Sequence, residues 1–176
     1  MRNTTISRIR EKDLNKVITW KSNQRLSDQI MARKKHLNLN EAKMWLKTNE
    51  RDKNQVIKGI YQEEFNKLFF VGIVRLMFID FKAKTTELGI YIGEEDYHNK
   101  GVGSNALRLI INHAFQNLNL NKIYLKVANT NEKAIKLYLN NNFKIEGILS
   151  EHYFNLTTNA YEDIYHMSLF KKSYII

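Results

Sequence analysis

A glycine-rich loop over residues 98–104 has the residue types that bind an anion. Gly101 and Gly103 let backbone N–H groups approach a negative charge closely, and Lys100 adds a full positive charge. The apolar periodicity after the loop predicts a helix, whose N-terminus also favours an anion. A phosphate site is one interpretation, and a plain tight turn is the alternative that these residues leave open.

The same loop matches the dinucleotide-binding pattern Gly-x-Gly-x-x-Ala. A dinucleotide-binding loop follows its strand at once, whereas eight residues lie between Ile92, the end of the preceding predicted strand, and Gly101. The acidic residue expected after the second strand is also missing, because residues 128–130 are Ala, Asn and Thr. The sequence therefore argues against a dinucleotide-binding fold.

Glu87 and Tyr138 each carry a group that can exchange a proton, and each has a structural alternative. Alternation along the predicted strand 87–92 puts Leu88 on the core face and Glu87 on the opposite face, where a carboxylate can act as a base. A solvated carboxylate is the alternative. Tyr138 lies on a predicted helix over residues 132–141 and can act as an acid, since a phenol has a reference pKa of about 10. Periodicity alone favours a buried core tyrosine instead.

Cysteine is absent from all 176 residues, which excludes disulfides, cysteine–zinc sites and a cysteinyl intermediate. Four other candidates lie in a predicted closing hairpin and could line a pocket: His152, Glu162, Asp163 and His166. Glu162 and His166 have the spacing of a helical metal site, but on a strand they would lie too far apart to chelate one ion easily. The sequence predicts no metal site.

The elements that position these residues follow from the pattern of apolar residues. Helical periodicity covers Glu11–Trp20, residues 39–49, the segment after the glycine loop, and residues 132–141. Strands are predicted at residues 56–61, 68–74, 87–92, 123–127, 143–154 and 160–170. No linker, repeat or block of like charge divides the chain, which predicts one domain over residues 1–176.

The chain carries 28 Lys and Arg residues against 18 Asp and Glu residues, a formal net charge of +10. This charge favours an anionic partner such as a nucleic acid, an anionic lipid or a phosphorylated small molecule. The longest basic cluster is only Arg33-Lys34-Lys35, so we expect no nucleic-acid partner. The first ten residues lack the apolar block of a secretory signal, and the stretch Leu68–Ile79, which Arg75 interrupts, is too short to cross a bilayer. We therefore expect a cytoplasmic protein without a membrane partner.

Two segments of the chain resemble motifs of one enzyme family. His98-Asn99-Lys100-Gly101-Val102-Gly103 is similar to the loop Gln/Arg-x-x-Gly-x-Gly/Ala of the GNAT superfamily of N-acetyltransferases, with His98 as a departure at the first position. About 30 residues later, Asn131-Glu132-Lys133-Ala134-Ile135-Lys136-Leu137-Tyr138, followed by Asn142-Phe143, resembles the family's Asn-x-x-Ala-x-x-Leu-Tyr-x-x-x-Gly-Phe segment. Asn142 stands where glycine is usual, which predicts a left-handed residue at the helix end. The resemblance implies a single-domain α/β GNAT-like fold, with a mixed, mostly antiparallel sheet of about seven strands and about four flanking helices.

The resemblance also implies acetyl-CoA as co-substrate and gives each candidate residue a role. The pantetheine arm would pair with the backbone of Tyr91, Ile92 and Gly93. The pyrophosphate would be held by the loop residues Asn99, Lys100, Gly101, Val102, Gly103 and Ser104. Asn131 would contact the cofactor, cap its helix, or do both, and Tyr138 would protonate the departing thiolate. Glu87 matches the general base of the histone-acetylating branch, although a chain of water molecules can replace a side-chain base.

The acceptor of the acetyl group is inferred from charge. The layout resembles acetyltransferases of ribosomal proteins, spermidine and nucleotide-linked amino sugars, and a net charge of +10 would repel a polycationic amine. We rank an amino group on a nucleotide-linked sugar first, a protein N-terminus second and a small metabolite amine third. Trp20 lies in the region that shapes the acceptor cleft in this family, and we favour a core role for it over that of an acceptor platform. A catalytically silent acyl-CoA sensor and a homodimer are left open.

Overall fold

Seven strands form one sheet in the structure of the chain, a computed structural model that describes residues 3–174. The strands are β1 (Asn3–Ser7), β2 (Val56–Glu64), β3 (Lys67–Asp80), β4 (Thr85–Ile92), β5 (Lys122–Ala128), β6 (Lys144–Asn155) and β7 (Ala160–Phe170). The α-helices are α1 (Leu14–Ser22), α2 (Gln24–Gln29), α3 (Leu39–Arg51), α4 (Val102–Asn112) and α5 (Glu132–Leu139). The expected α/β fold is confirmed, with five α-helices rather than about four.

The sheet has the strand order β1-β2-β3-β4-β5-β7-β6, and one neighbouring pair differs from the others. All neighbours are antiparallel except β4 and β5, which run parallel. These two strands pair only from Thr85 opposite Lys122 to Glu87 opposite Tyr124. Beyond that point β4 pairs with β3 alone as far as Ile92. One edge of residues 88–92 is therefore free of strand partners in the middle of the sheet.

Helices α4 and α5 cover one face of the sheet. The amphipathic pattern of α4 buries Leu107, Ile110 and Ile111 completely, and these side chains pack with Leu88 of β4 in the larger of two core clusters. Tyr138 of α5 belongs to the same cluster. Burial of this much apolar surface fixes the position of both helices relative to β4.

Helices α1 and α3 cover the opposite face, over β2 and β3. Val17 and Trp20 of α1 pack with Ala42 and Leu46 of α3 in a second core cluster that includes Ile73 of β3. Sheet neighbours β5, β7 and β6 lie on the other side of the gap beside β4. Strand β4 therefore lies between the part of the sheet formed by β1, β2 and β3 and the part formed by β5, β7 and β6. None of the described helices is long and apolar enough to span a membrane.

Candidate active site

The glycine-rich loop presents unpaired N–H groups at the start of α4. Gly101 is the N-cap of α4, has a left-handed φ of 77° and offers no side chain to cap the helix. Within residues 3–174, no backbone N–H from Asn99 to Ser104 donates a hydrogen bond to another residue. An uncapped helix N-terminus attracts an anion through its free N–H groups and the helix dipole. The loop therefore has the donors that a phosphate group needs.

The side chains of the glycine-rich loop differ in exposure: Lys100 adds charge at the surface, and Val102 packs in the core. Lys100 is exposed, and its Nζ lies 5.8 Å from the centroid of the Tyr97 ring. Val102 is 3% exposed in the core, so only its backbone is oriented for a ligand. Asn99 has a positive φ of 58°, and Ser104 is half-buried in the first turn of α4. At the N-terminus of α4, the backbone of the loop, and not its side chains, is therefore available to a ligand.

The end of β4 offers the free strand edge through Ile92. The Ile92 carbonyl oxygen lies 2.9 Å from His98 Nε2, on the side away from β3. The Gly93 N–H donates to the Val71 carbonyl of β3 at 2.9 Å, and the Tyr91 carbonyl also lies against β3. Of the three residues predicted to contact pantetheine, Ile92 is thus the one whose carbonyl faces the free edge. His98 is the residue of the glycine loop that reaches this carbonyl.

Gly103 brings the three elements of the predicted cofactor site together. A Cβ atom at Gly103 would lie 3.8 Å from Leu137 Cδ2 of α5 and 3.9 Å from Ile92 Cγ1 of β4. These are ordinary van der Waals distances, so the start of α4 packs directly against both neighbours. The glycine loop, the end of β4 and the middle of α5 therefore meet at one place.

Asn131 is the N-cap of α5, as one of its two predicted roles required. Its Oδ1 accepts a hydrogen bond from the Ala134 N–H at 3.2 Å. Its Nδ2 donates to the Gln29 carbonyl of α2 at 3.3 Å. The cap accounts for the asparagine by itself, and a contact with the cofactor stays a prediction.

Tyr138 is buried on the α4 side of the sheet. The residue is 6% exposed, and its ring centroid lies 5.7 Å from that of Phe143. Its hydroxyl forms no hydrogen bond within the described part of the chain. Burial raises the pKa of Tyr138 to about 12. A neutral phenol with an uncommitted O–H is therefore held in an apolar surrounding.

Glu87 lies on the other face of the sheet, at the last residue that pairs with β5. Its side chain is 18% exposed, and its Oε2 lies 3.9 Å from Lys126 Nζ of β5. Its pairing partner Tyr124 stacks on His166 of β7, with ring centroids 5.4 Å apart. Burial raises the pKa of Tyr124, and the negative charge of Glu87 raises it further. Glu87 is thus at the base of the gap between β4 and β5.

Glu87 and Tyr138 approach this gap from opposite faces. Leu88, on the face opposite Glu87, shares a core cluster with Tyr138. Tyr91 shares the Glu87 face by alternation and packs on Trp20, with ring centroids 5.8 Å apart. Because β4 and β5 no longer pair beyond Glu87 and Tyr124, a molecule between them can contact groups from both faces.

Trp20 packs on Tyr91 at one end of the sheet face that carries Glu87. The indole is 5% exposed and belongs to the core cluster of α1 and α3. Its Nε1 donates to Glu94 Oε1 at 3.1 Å, and Lys16 Nζ lies 3.1 Å from Glu94 Oε2. The structure supports the core role that the sequence favoured for this residue.

The hairpin of β6 and β7 is tied to α2 through a buried carboxylate. Asp28 is 3% exposed and accepts hydrogen bonds from the Tyr153 hydroxyl at 2.8 Å and from the N–H and hydroxyl of Thr157. Burial opposes ionisation of Asp28, but the bonds from Thr157, Tyr153 and Gln24 lower its pKa. Asp28 therefore serves as an anchor for the hairpin turn.

The hairpin residues singled out for a pocket are not gathered into one. Glu162 is 5% exposed, and its Oε1 accepts from Thr130 and Asn155 at 2.9 Å each. His152 is exposed, whereas His166 is stacked on Tyr124. No group of three His, Asp or Glu side chains within residues 3–174 is arranged to hold a metal ion.

Arg75 and Lys21 are two further charged residues of the Glu87 face, and the sequence did not single them out for a function. The only signal was that Arg75 interrupts the long apolar run of β3. In the structure, Arg75 pairs across the sheet with Gly89 of β4, two positions from Glu87. Arg75 and Lys21 are positioned by contacts between segments that lie far apart in the sequence, so the sequence alone does not bring them together.

The free edge of β4, the uncapped start of α4 and the buried tyrosine of α5 define an α/β protein with a site where two neighbouring strands stop pairing. The chain belongs to the GNAT acetyltransferase family, because residues 3–144 match the model of the "Acetyltransferase (GNAT) domain". This confirms the resemblance found in the two sequence motifs.

Several relatives have described activities. The spermidine N(1)-acetyltransferase of Escherichia coli K12 is 35% identical over 104 residues, which cover 59% of this chain and only 54% of that protein. The acetyltransferase PseH of Campylobacter jejuni is 27% identical over 137 residues, covering 78% of this chain and 80% of that protein. A crystal structure of spermidine N-acetyltransferase from Vibrio cholerae with CoA and spermine has a TM-score of 0.88 at 23% identity, covering 97% of each chain. This last likeness establishes the fold alone.

Proposed function

We propose that this chain transfers the acetyl group of acetyl-CoA directly to a primary amine on an anionic acceptor, an amino sugar linked to a nucleotide. Membership of the GNAT family supports acetyl-CoA as the co-substrate. The N–H groups of residues 99–104 would hold the pyrophosphate, and the free edge at Ile92 would pair with the pantetheine arm. The His98 ring would have to release the Ile92 carbonyl or share it with the cofactor.

The proposed reaction exchanges a thioester for an amide. The amine nitrogen attacks the acetyl carbonyl carbon, a C–N bond forms, and the C–S bond to CoA breaks. The amine gives up one proton to Glu87, directly or through water, and the thiolate of CoA takes one proton from Tyr138. The chain has no cysteine, which supports direct transfer within one ternary complex. The high pKa of Tyr138 keeps the phenol protonated at neutral pH.

The charge around Glu87 is the observation that carries the choice of acceptor. Lys126 Nζ lies 3.9 Å from the carboxylate, so a cation already occupies its neighbourhood. A polyamine brings several positive charges, which Lys126 and the net charge of +10 would repel. An acceptor with a single amine and a phosphate group suits this surrounding better.

Two other carboxylates, those of Asp28 and Glu162, are buried and at least partly bound by the fold, although Glu162 Oε2 has no hydrogen-bond partner among the described residues. Asp28 is bound by the hairpin turn, and one oxygen of Glu162 is bound by Thr130 and Asn155. Both residues are at most 5% exposed. Neither carboxylate is therefore exposed for a polyamine, even though the matched part of the chain is similar to spermidine acetyltransferases.

Thiol release from acetyl-CoA, followed over a panel of acceptors, tests this function. The panel contains a nucleotide-linked amino sugar, spermidine, and a peptide with a free N-terminus. We expect the highest kcat/KM with the amino sugar and loss of turnover in Tyr138→Phe. Faster turnover with spermidine would overturn the choice of acceptor. Tight CoA binding without turnover of any amine would favour an acyl-CoA sensor. A homodimer stays a prediction, which sedimentation of the purified protein would test.

A further inference from the structure

Arg75 is a half-buried cation that no carboxylate neutralises in the described part of the chain. Its Nη2 donates to Asn49 Oδ1 at 2.7 Å and to Gln55 Oε1 at 2.8 Å, which are neutral amides. Its Nε is buried and has no hydrogen-bond partner there. A buried guanidinium with an unused donor is costly unless an anion compensates it. The side chain is thus held in place while part of its binding capacity stays unused.

Lys21 of α1 adds a second cation beside the same part of α3: it lies over Trp45, and Asn49, which donates to the Trp45 carbonyl, also binds Arg75. Lys21 Nζ lies 4.4 Å from the centroid of the Trp45 ring, and the Lys21 carbonyl accepts a hydrogen bond from the Lys35 N–H at 2.8 Å. Burial, together with the positive charges of Arg75 and Lys35, lowers the pKa of Lys21 to about 8. Like-charged groups would not gather here for stability alone. The accumulated positive charge indicates a site for a negative group.

The position of this pair relative to Glu87 is set by strand register. Arg75 lies opposite Gly89, and Gly89 is two residues from Glu87 on the same face of β4. Cross-strand neighbours are about 5 Å apart and alternate strand residues about 7 Å, so the backbones of Arg75 and Glu87 are separated by roughly 8 Å. Gly89 has no side chain between them; only the end of the Met77 side chain lies close to where its Cβ would be. A molecule of about one sugar ring can span this separation.

We propose that Arg75 and Lys21 form a subsite for the phosphate groups of the acceptor, which places the acceptor's amine beside Glu87. This inference rests on the proposed function and names the groups that select its acceptor. Arg75 is held through Nη2 by Asn49 and Gln55 and would attract phosphate oxygens through its positive charge, and Lys21 supplies a second point charge. The subsite is distinct from the glycine loop, which lies at the start of α4 and would hold the pyrophosphate of CoA.

Anion binding to the CoA-saturated protein tests the subsite. Saturating CoA fills the glycine loop, so that titration with inorganic pyrophosphate or uridine diphosphate reports any second anion site. We expect Lys21→Gln and Arg75→Met each to weaken the binding of both anions about tenfold or more, because a charge-assisted bond is lost. The affinity for CoA should stay within about twofold of the wild-type value. The matched control is Lys82→Gln, which removes an exposed cation of the turn between β3 and β4; it should change neither affinity.

These outcomes test the subsite independently of the identity of the acceptor. Equal anion affinity in wild type, Lys21→Gln and Arg75→Met would overturn the inference, as would failure of wild type to bind either anion. CoA affinity and circular dichroism verify that each variant is folded; if Arg75→Met does not fold, Lys21→Gln decides. Binding that depends on Lys21, together with no acetylation of a nucleotide-linked amino sugar, would reject the proposed acceptor and keep the subsite.

Discussion

The indole of Trp20 lies directly against the backbone of Gly93. A Cβ atom at Gly93 would lie 2.2 Å from Cε2 of the indole, well inside van der Waals contact. Trp20 is fixed in turn by Phe70, whose ring centroid is 4.8 Å away. The end of β4, where pantetheine is expected to bind, is therefore positioned by a ring from α1 that only glycine can accommodate.

Gly93→Ala should consequently destabilise the protein by about 2 kcal/mol, because the added methyl group forces the indole out of a packed core. Urea unfolding measures this loss. The control is Gly147→Ala, since a Cβ at Gly147 has no neighbour within 4 Å and φ there is not positive. In a double variant with Trp20→Leu, the penalty of Gly93→Ala should largely disappear; a penalty that persists would show that the ring contact is not its cause.

The two glycines of the loop should respond differently to alanine. Gly101 has a φ of 77°, so Gly101→Ala should cost about 1 kcal/mol of stability as well as affinity for acetyl-CoA. Gly103 has no such strain, and its Cβ would meet Leu137 and Ile92 only at ordinary contact distances. Gly103→Ala should leave the melting temperature unchanged and raise the KM for acetyl-CoA, since the methyl group stands beside the free N–H groups. An unchanged KM in both variants would argue against pyrophosphate at this helix start.

Glu87→Gln should remove a proton acceptor without changing the shape of the side chain. We expect kcat to fall about 100-fold, with the acidic limb of the pH–rate profile lost and the KM for acetyl-CoA retained. Glu63→Gln on β2, far from the gap, is the matched control. An unchanged pH–rate profile in Glu87→Gln would leave proton removal to a chain of water molecules.

Much of β4 and α5 could be predicted because local patterns determine them. Alternation placed Leu88 in the core and Glu87 on the other face, and the structure confirms both. Asn131 caps α5, and Asn142 has a φ of 65°, the left-handed conformation expected where glycine is usual in the family. Strand alternation, helix caps and left-handed helix ends depend on a few residues that are neighbours in the sequence, so the sequence alone predicts them.

Other features depend on distant partners and were missed. Strand β1 contains one large apolar residue, Ile6, and is held by pairing with β2, while α2 has six residues that Asn23 caps. The proximity of Lys21 and Arg75, 54 positions apart, is equally invisible in the sequence. Pairing and clustering of this kind arise only once the sheet has formed.

Tyr138 should make stability fall at alkaline pH. The folded protein has a Tyr138 pKa of about 12, whereas an unfolded chain has a tyrosine pKa of about 10. Between these values the folded state holds a proton that the unfolded state has lost, so the free energy of unfolding decreases as pH rises. Urea unfolding from pH 8 to 11 should show wild type losing stability relative to Tyr138→Phe above about pH 10. Parallel curves would mean that the phenol is not protected by burial.

Tyr138→Phe should also separate catalysis from binding. The ring stays packed against Phe143 and its hydroxyl bonds to no described residue, so the fold and the KM for acetyl-CoA should hardly change. Without the phenolic proton, the CoA thiolate must leave unprotonated, and kcat should fall by about 100-fold or more. Tyr174→Phe is the matched control, because Tyr174 packs in the same core on Phe115, with ring centroids 5.5 Å apart. If both variants keep the wild-type kcat, Tyr138 is a core residue only, and the proton of the leaving group comes from water.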